Sequence, residues 1–403
     1  MNLWPFQREG VAFLLKNPRA YLADGMGLGK TVQAAVAARL GGYQRTLVVC
    51  PASAVENWKR EWLTWGPKLT LAVVSYAQMI RRAKEFVGGD WDLLILDEAH
   101  YVKTPSAQRT KVAMKLASKV SNVWLLSGTP MPNHPGELWT IMRYIWPEIP
   151  QKLNITNAWE WFDRFCRWSP TQYGPRVHGT KNKEVLLGSL AQIMRRRTIE
   201  SVGLQLPPLR VDVSLLPKTD SLNLSAYADA AAEDAPAMST LRRLLGEYKA
   251  PRIGKIIHDE LLHGAYRKIV VLAHHRATLR KLGEILAAFN VIGFDGSTPQ
   301  KARQFAIDEF NTNADCRVFL AQQSAAGIAI NLTAGTEIVL VEPAWSPEDN
   351  AQAIKRIHRI GQHHPCRARI FAIADTLDDG IMHVLAEKTR MIADVIPTEG
   401  SSA

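Results

Sequence analysis

The sequence predicts an α/β protein with two parallel sheets in series, and three observations carry that expectation. Short apolar runs recur along the chain, helical patterns separate them, and the whole arrangement occurs twice. In the first part the runs are Tyr21–Ala23, Thr46–Cys50, Leu71–Val74, Leu93–Leu96 and Val123–Leu126. In the last part they are Ile269–Ala273, Val291–Phe294, Val318–Ala321, Ile338–Val341 and Ile370–Ala374. Runs of aliphatic and β-branched residues without alternation suit strands buried on both faces. The intervals leave room for the crossover helices that parallel pairing requires.

The middle of the chain has a different composition. Residues 131–206 are rich in Trp, Pro and Arg, and read as a short, mainly helical insertion with irregular joins. Over residues 131–250 the proline breaks and mixed helical pattern do not suggest a β-hairpin. Eleven of the 12 tryptophans precede Ser169, so the two halves draw on different residues. Gln205–Arg210 (QLPPLR) is the expected linker, because paired prolines resist both helix and sheet. The expected domains are 1–206 and 207–403, with Leu222–Lys249 helical apart from the Ala-rich stretch Ala228–Ala232.

Lys plus Arg number 49 and Asp plus Glu 38, a net +11 over 403 residues. That excess favours a polyanionic partner, because each phosphate contact releases counterions. Cys50, Cys166, Cys316 and Cys366 lie far apart with no CxxC pair, which argues against a disulfide framework or a zinc site. The opening MNLWPFQREG lacks a basic, apolar leader pattern, and no apolar stretch approaches a membrane span of about 18 residues. A soluble protein of a reducing compartment is expected.

The strongest chemical signal is Asp24-Gly25-Met26-Gly27-Leu28-Gly29-Lys30-Thr31, between a short strand and an Ala-rich helix. Three glycines let the backbone curl round a phosphate with its N–H groups inward. Lys30 adds a cation for the β- and γ-phosphates, and the Thr31 hydroxyl can ligate Mg²⁺. The strict pattern has Gly where this chain has Asp24. Asp97-Glu98-Ala99-His100 follows directly on the strand run Leu93–Leu96. Carboxylates at the end of a buried strand are costly unless a cation or a catalytic task needs them. Asp97 suits Mg²⁺, and Glu98 suits orienting and deprotonating a water. Ser127-Gly128-Thr129-Pro130 ends another strand with small and hydroxyl-bearing residues that can approach a ligand. Near the end, Gln352-Ala-Ile-Lys-Arg356-Ile-His-Arg359 places Gln352, Arg356 and Arg359 on one face if the segment is helical, as arginine fingers for a triphosphate.

DGMGLGKT, DEAH, LLSGTP and QAIKRIHRIGQ, in this order, resemble the Swi/Snf-type remodeller and translocase family of superfamily-two helicases. Further segments share the likeness. Leu3–Val11 resembles the adenine-reading element, with Gln7 as its glutamine. Val48–Pro51 with Asn57-Trp58 resembles the first DNA-contact motif, and Ser75-Tyr76 the second. Phe294–Thr298 with Arg303 and Phe310 resembles the second lobe's DNA-facing motif, and Ala326–Thr333 with Trp345–Pro347 the coupling motif. The likeness runs from about residue 1 to 395. Ala329 departs from the Gly common there, and the short segment between lobes looks more like the annealing-helicase branch than the nucleosome remodellers. Arg195-Arg196-Arg197 resembles the family's basic stretch before the second lobe, and reads equally as a surface turn or a DNA contact.

The resemblance implies two tandem RecA-like lobes, with ATP and Mg²⁺ on the first. Arg356 and Arg359 would close on the nucleotide from the second lobe, with double-stranded, forked or branched DNA as partner. The implied nucleic-acid residues are Pro51, Trp58, Ser75, Tyr76, Thr129, Ser297, Arg303 and Gly327. It further implies translocation on duplex without strand separation, by a monomer of the nucleoid or the nucleus according to host. The residues alone leave two rivals: a strand-separating DNA or RNA helicase, and an ATP-gated DNA clamp without motor activity.

Overall fold

The computed structural model describes residues 3–67, 70–131, 133–171, 174–217, 235–323, 325, 330–374, 376 and 378. The chain divides into two compact units, Met1–Gln205 and Leu206–Glu387. Gly327, Ala329 and Ala228–Ala232 lie outside the described residues.

The first unit holds a six-stranded, all-parallel sheet. Its strands are Arg19–Leu22 (β1), Arg45–Cys50 (β2), Thr70–Ser75 (β3), Leu93–Asp97 (β4), Asn122–Leu126 (β5) and Met194–Arg195 (β8). Their order is β3-β2-β4-β5-β1-β8. Every apolar run expected as a strand in this half forms one. Leu47, Val49, Leu94, Leu96, Val123 and Leu125 are buried in a single core with Tyr21, Met79, Trp139 and Trp161. Local chemistry sets the helices between the strands. Pro5 starts the helix Pro5–Lys16, where a missing N–H costs nothing. Ser75 caps Tyr76–Arg81, its hydroxyl accepting from the Gln78 N–H while the Gln78 side chain accepts from the Ser75 N–H.

The insertion departs from the expectation. Beside its helices, Cys166–Thr171 (β6) and Gly174–Thr180 (β7) pair as an antiparallel hairpin with an irregularity between Arg167 and Trp168. Pro170, Pro175 and Gly179 break the alternation by which a strand is recognised, and a two-stranded ribbon outside a central sheet tolerates them.

The second unit repeats the design. Leu209–Leu216 (β9), Ile269–Ala273 (β10), Val291–Phe294 (β11), Val318–Gln322 (β12), Glu337–Leu340 (β13) and Cys366–Ile373 (β14) form a parallel sheet in the order β11-β12-β10-β13-β14-β9. Five of these strands were expected. β9 was not: the linker segment runs straight into it, and it pairs with β14 from Leu209 to Leu216. Leu209–Leu216 alternates because it is the sheet edge, with Val211, Val213 and Leu215 about half exposed. The helix Ala235–Leu262 covers the described part of the predicted helical stretch.

Candidate active site

In open parallel sheets ligands bind beyond the carboxyl ends of the strands, where successive helices leave in different directions. In the first unit that edge carries the loop 24–29 after β1, Asp97-Glu98 closing β4, and the Ser127–Pro130 loop after β5. Because β5 lies between β1 and β4, these three segments stand side by side.

The loop after β1 turns through Gly27 and Gly29, whose φ values of 90° and 74° favour glycine. Gly29 also makes room: a Cβ there would lie 2.6 Å from Nε2 of Gln7. Gln7 donates to the Leu28 carbonyl (3.3 Å) and accepts from the Trp4 N–H (3.1 Å), so the Pro5–Lys16 helix is tied to the loop. The Lys30 ammonium donates to the carbonyls of Asp24 (2.8 Å) and Gly25 (3.3 Å). Burial lowers its pKa, against the pull of Glu98, Asp97 and Asp24. Thr31 follows as the second residue of the helix Lys30–Leu40.

The two acidic residues are buried, Glu98 at 2% exposure and Asp97 at 7%. Asp97 Oδ2 accepts from the Trp58 indole (2.7 Å), its Oδ1 from the Glu98 N–H (3.0 Å), and its carbonyl from the Tyr76 hydroxyl (2.8 Å). Burial, then Glu98, push the Asp97 carboxyl up to about 6. Glu98 occupies left-handed backbone at φ 49°, uncommon for a side chain of this size. Its Oε2 lies 3.2 Å from His100 Nδ1 and accepts from Ser127 Oγ at 3.3 Å. Burial raises its carboxyl, but His100, Lys30 and Ser127 together hold it below the ordinary value. His100 Nδ1 is also 3.1 Å from Ser127 Oγ, which accepts from the Thr129 N–H. The strand-end serine is thereby wired to the acid, together with His100, to which the DEAH pattern by itself assigns no role.

Hard oxygen donors, a hydroxyl at Thr31 and a carboxylate at Asp97, suit Mg²⁺. Asp97 carries the disposition a cation would relieve: a carboxyl buried beside a second carboxyl, with its pKa raised.

Several residues expected at nucleic acid do not offer their side chains. Trp58 is fully buried, Tyr76 is 5% exposed, and both bond to Asp97. Ser75 is spent on its helix cap, and Pro51 is buried where β2 ends. In this structure these four side chains are engaged within the first unit. Sequence places these residues at or after strand ends but does not say which way their side chains turn. Thr129 is partly exposed and Ser297 exposed.

In the second unit Ser297 Oγ donates to Asp295 (2.7 Å). Arg303 pins that loop, donating to the carbonyls of Thr298 (2.8 Å), Gly296 (3.0 Å) and Ala325 (3.3 Å). Beside it, a recess of about 380 Å³ is lined by Arg276, Arg280, Asp295 and Thr298 among others. No sequence signal marked Arg276 or Arg280. The helical face expected for Gln352, Arg356 and Arg359 is also corrected, because the helix Pro347–Ile354 ends before either arginine. The Arg356 carbonyl accepts from the Leu332 N–H (2.9 Å) instead of from a fourth residue onward. Gln362 then anchors the turn by donating to the carbonyls of Ile357, Thr333 and Gly335. Arg359 donates to the Ile330 carbonyl (3.2 Å).

Comparison with known proteins finds related domains and chains. A model of the SNF2-related domain matches residues 6–78 and 68–262, and one of the helicase conserved C-terminal domain matches 252–361. A Caenorhabditis elegans SWI/SNF-related matrix-associated actin-dependent regulator of chromatin subfamily A-like protein 1 homolog is 31% identical, over 98% of this chain and 62% of its own. The mouse DNA annealing helicase and endonuclease ZRANB3 is 30% identical, over 98% of this chain and 41% of its own. The chain thus spans about half the length of such relatives. The Sulfolobus solfataricus SWI2/SNF2 ATPase core in complex with dsDNA is 22% identical, covering 98% of this chain and 93% of that one at a TM-score of 0.46.

Proposed function

We propose that this chain, which belongs to the SNF2-related family, is a DNA-dependent ATPase that moves along duplex DNA. The observation that carries the proposal is the set of groups gathered on one sheet edge. A glycine loop with Lys30 stands beside two buried carboxylates and a serine bonded to one of them. A cation for phosphate, a metal-binding carboxylate and a base for water are the parts phosphoryl transfer needs.

On this reading the backbone of Gly25–Gly29 and Lys30 bind the phosphates, and Gln7 reads the base. Thr31 and Asp97 hold Mg²⁺, which when bound neutralises charge on the phosphoryl oxygens. Glu98, oriented by His100 and Ser127, accepts the proton of the attacking water at Oε1 or Oε2. Arg356 and Arg359 stabilise the charge that develops in the transition state. Ser127 makes its bond to Glu98 in the loop that also carries Thr129, so a nucleic acid touching Thr129 has a short route to the base. Two relatives are named for SWI/SNF-type regulation and DNA annealing, which favours repair or fork processing and duplex DNA as the track.

The β6–β7 hairpin supports a second reading, strand separation, because a two-stranded ribbon is the kind of element that can divide base pairs in front of a motor. ATP turnover measured with linear duplex, forked duplex, single strands and RNA tests the proposal. Greatest stimulation by duplex or forked DNA is expected. Stimulation by RNA or single strands alone overturns the duplex assignment.

A further inference from the structure

Arg195-Arg196-Arg197 is neither a surface turn nor, at its last residue, available to DNA. Arg197 is 2% exposed. The segment continues β8 alongside β1, and the main chain of the nucleotide loop hangs on it: the Ala23 N–H donates to the Arg195 carbonyl, and the Gly25 N–H to that of Arg197, both at 2.7 Å. The Arg197 guanidinium grips both oxygens of the fully buried Asp24, from Nε to Oδ1 (3.0 Å) and from Nη2 to Oδ2 (2.6 Å). Nη2 also donates to Gln33 Oε1 (3.2 Å), and Nη1 donates to the Phe6 carbonyl. Gln33 returns its amide to Asp24 Oδ2 (3.1 Å) and to the Leu28 carbonyl (3.0 Å), which Gln7 also reaches. Gly10 leaves the space for this junction, since a Cβ there would lie 1.7 Å from Gln33 Oε1 and 2.7 Å from Arg197 Nη2.

A buried bidentate ion pair is costly to desolvate and gives geometric precision in return. Here the pair sits on the first residue of the loop, whose carbonyl receives Lys30. We propose that Arg197 is a positioning residue for nucleotide binding: through Asp24 and Gln33 it fixes the loop and the Gln7 helix in the geometry that receives ATP. This accounts for aspartate where the strict phosphate-loop pattern has glycine. Residues 198–205 lead from Arg197 to the end of the first unit, so the loop is fastened to the segment through which the chain continues into the second.

The inference rests on the ATP reading, and the experiment separates the two. ATP affinity of the unaltered chain is measured first; absence of binding there removes the functional reading itself. Arg197→Lys keeps the charge but loses the fork. It is expected to raise KM for ATP about tenfold, roughly the worth of one charge-assisted hydrogen bond. The kcat at saturating ATP should stay within a few-fold, and the Kd for duplex DNA should not change. Gly10→Ala keeps every charged group and displaces Gln33 and Arg197, so it should raise KM in the same way; it decides the matter if the lysine variant fails to fold. A KM for ATP left unchanged in the folded variants overturns the proposal, whether accompanied by a weaker Kd for DNA or by a lower Tm alone.

Discussion

The indole N–H of Trp58 donates to Oδ2 of Asp97 at 2.7 Å, from a ring wholly removed from solvent. A tryptophan whose motif resembles a DNA contact therefore holds the carboxylate proposed to bind Mg²⁺. Trp58→Phe keeps most of the packing and deletes the donor. Turnover at saturating DNA should fall about tenfold, as for loss of one hydrogen bond to a charged group. Affinity for duplex should be unaffected, and steady-state kinetics beside a DNA titration measure both. Normal turnover with weakened DNA binding would return Trp58 to the nucleic-acid face.

Lys30 and Glu98 are expected to have separable tasks. Lys30→Ala removes the cation on the phosphates and should nearly abolish hydrolysis, with circular dichroism unchanged. Glu98→Gln keeps ATP binding, because Asp97 and the loop remain, and stops turnover. Hydrolysis at the normal rate by the Glu98 variant would show that another group activates the water.

Arg356 and Arg359 test the contribution of the second unit. If either is a true finger, its replacement by Ala should lower turnover by about 10³-fold. ATP affinity should change far less, since the proposed phosphate, base and metal contacts all lie on the first unit. Both side chains lie in a turn that Gln362 anchors, so Gln362→Ala should weaken turnover without removing either charge. Normal turnover in both arginine variants excludes the fingers.

The fold was legible because buried parallel strands are written as unbroken apolar runs, and all ten runs became strands. What escaped was written otherwise. β9 alternates because it is an edge, and β8 is only two residues long. The hairpin is masked by its prolines and glycines. At the site, Lys30, Asp97 and Glu98 announced themselves by position after strands. Trp58, Tyr76 and Arg197 did not, because sequence marks a residue type near a strand end but not the direction of its side chain. Arg197 and Asp24 are 173 residues apart, and no local pattern joins them.

DNA binding should depend on salt more than on sequence. The net charge of +11 is spread over many Lys and Arg residues. Contacts to phosphate carry little sequence information, and each contributes about −0.9 to the slope of log K against log salt. Fluorescence anisotropy on two unrelated duplexes should give equal affinities that fall steeply from low to physiological salt. A flat dependence contradicts a phosphate-tracking surface.

The central claim is movement along duplex DNA driven by ATP, and displacement of a third strand from a triplex measures it most directly, because nothing need be unwound. The account predicts that ATP and the unaltered chain release the third strand, that Glu98→Gln does not, and that release stops when a long nick-free duplex arm is removed from the substrate. Hydrolysis of ATP on the same triplex with the third strand left in place would contradict it.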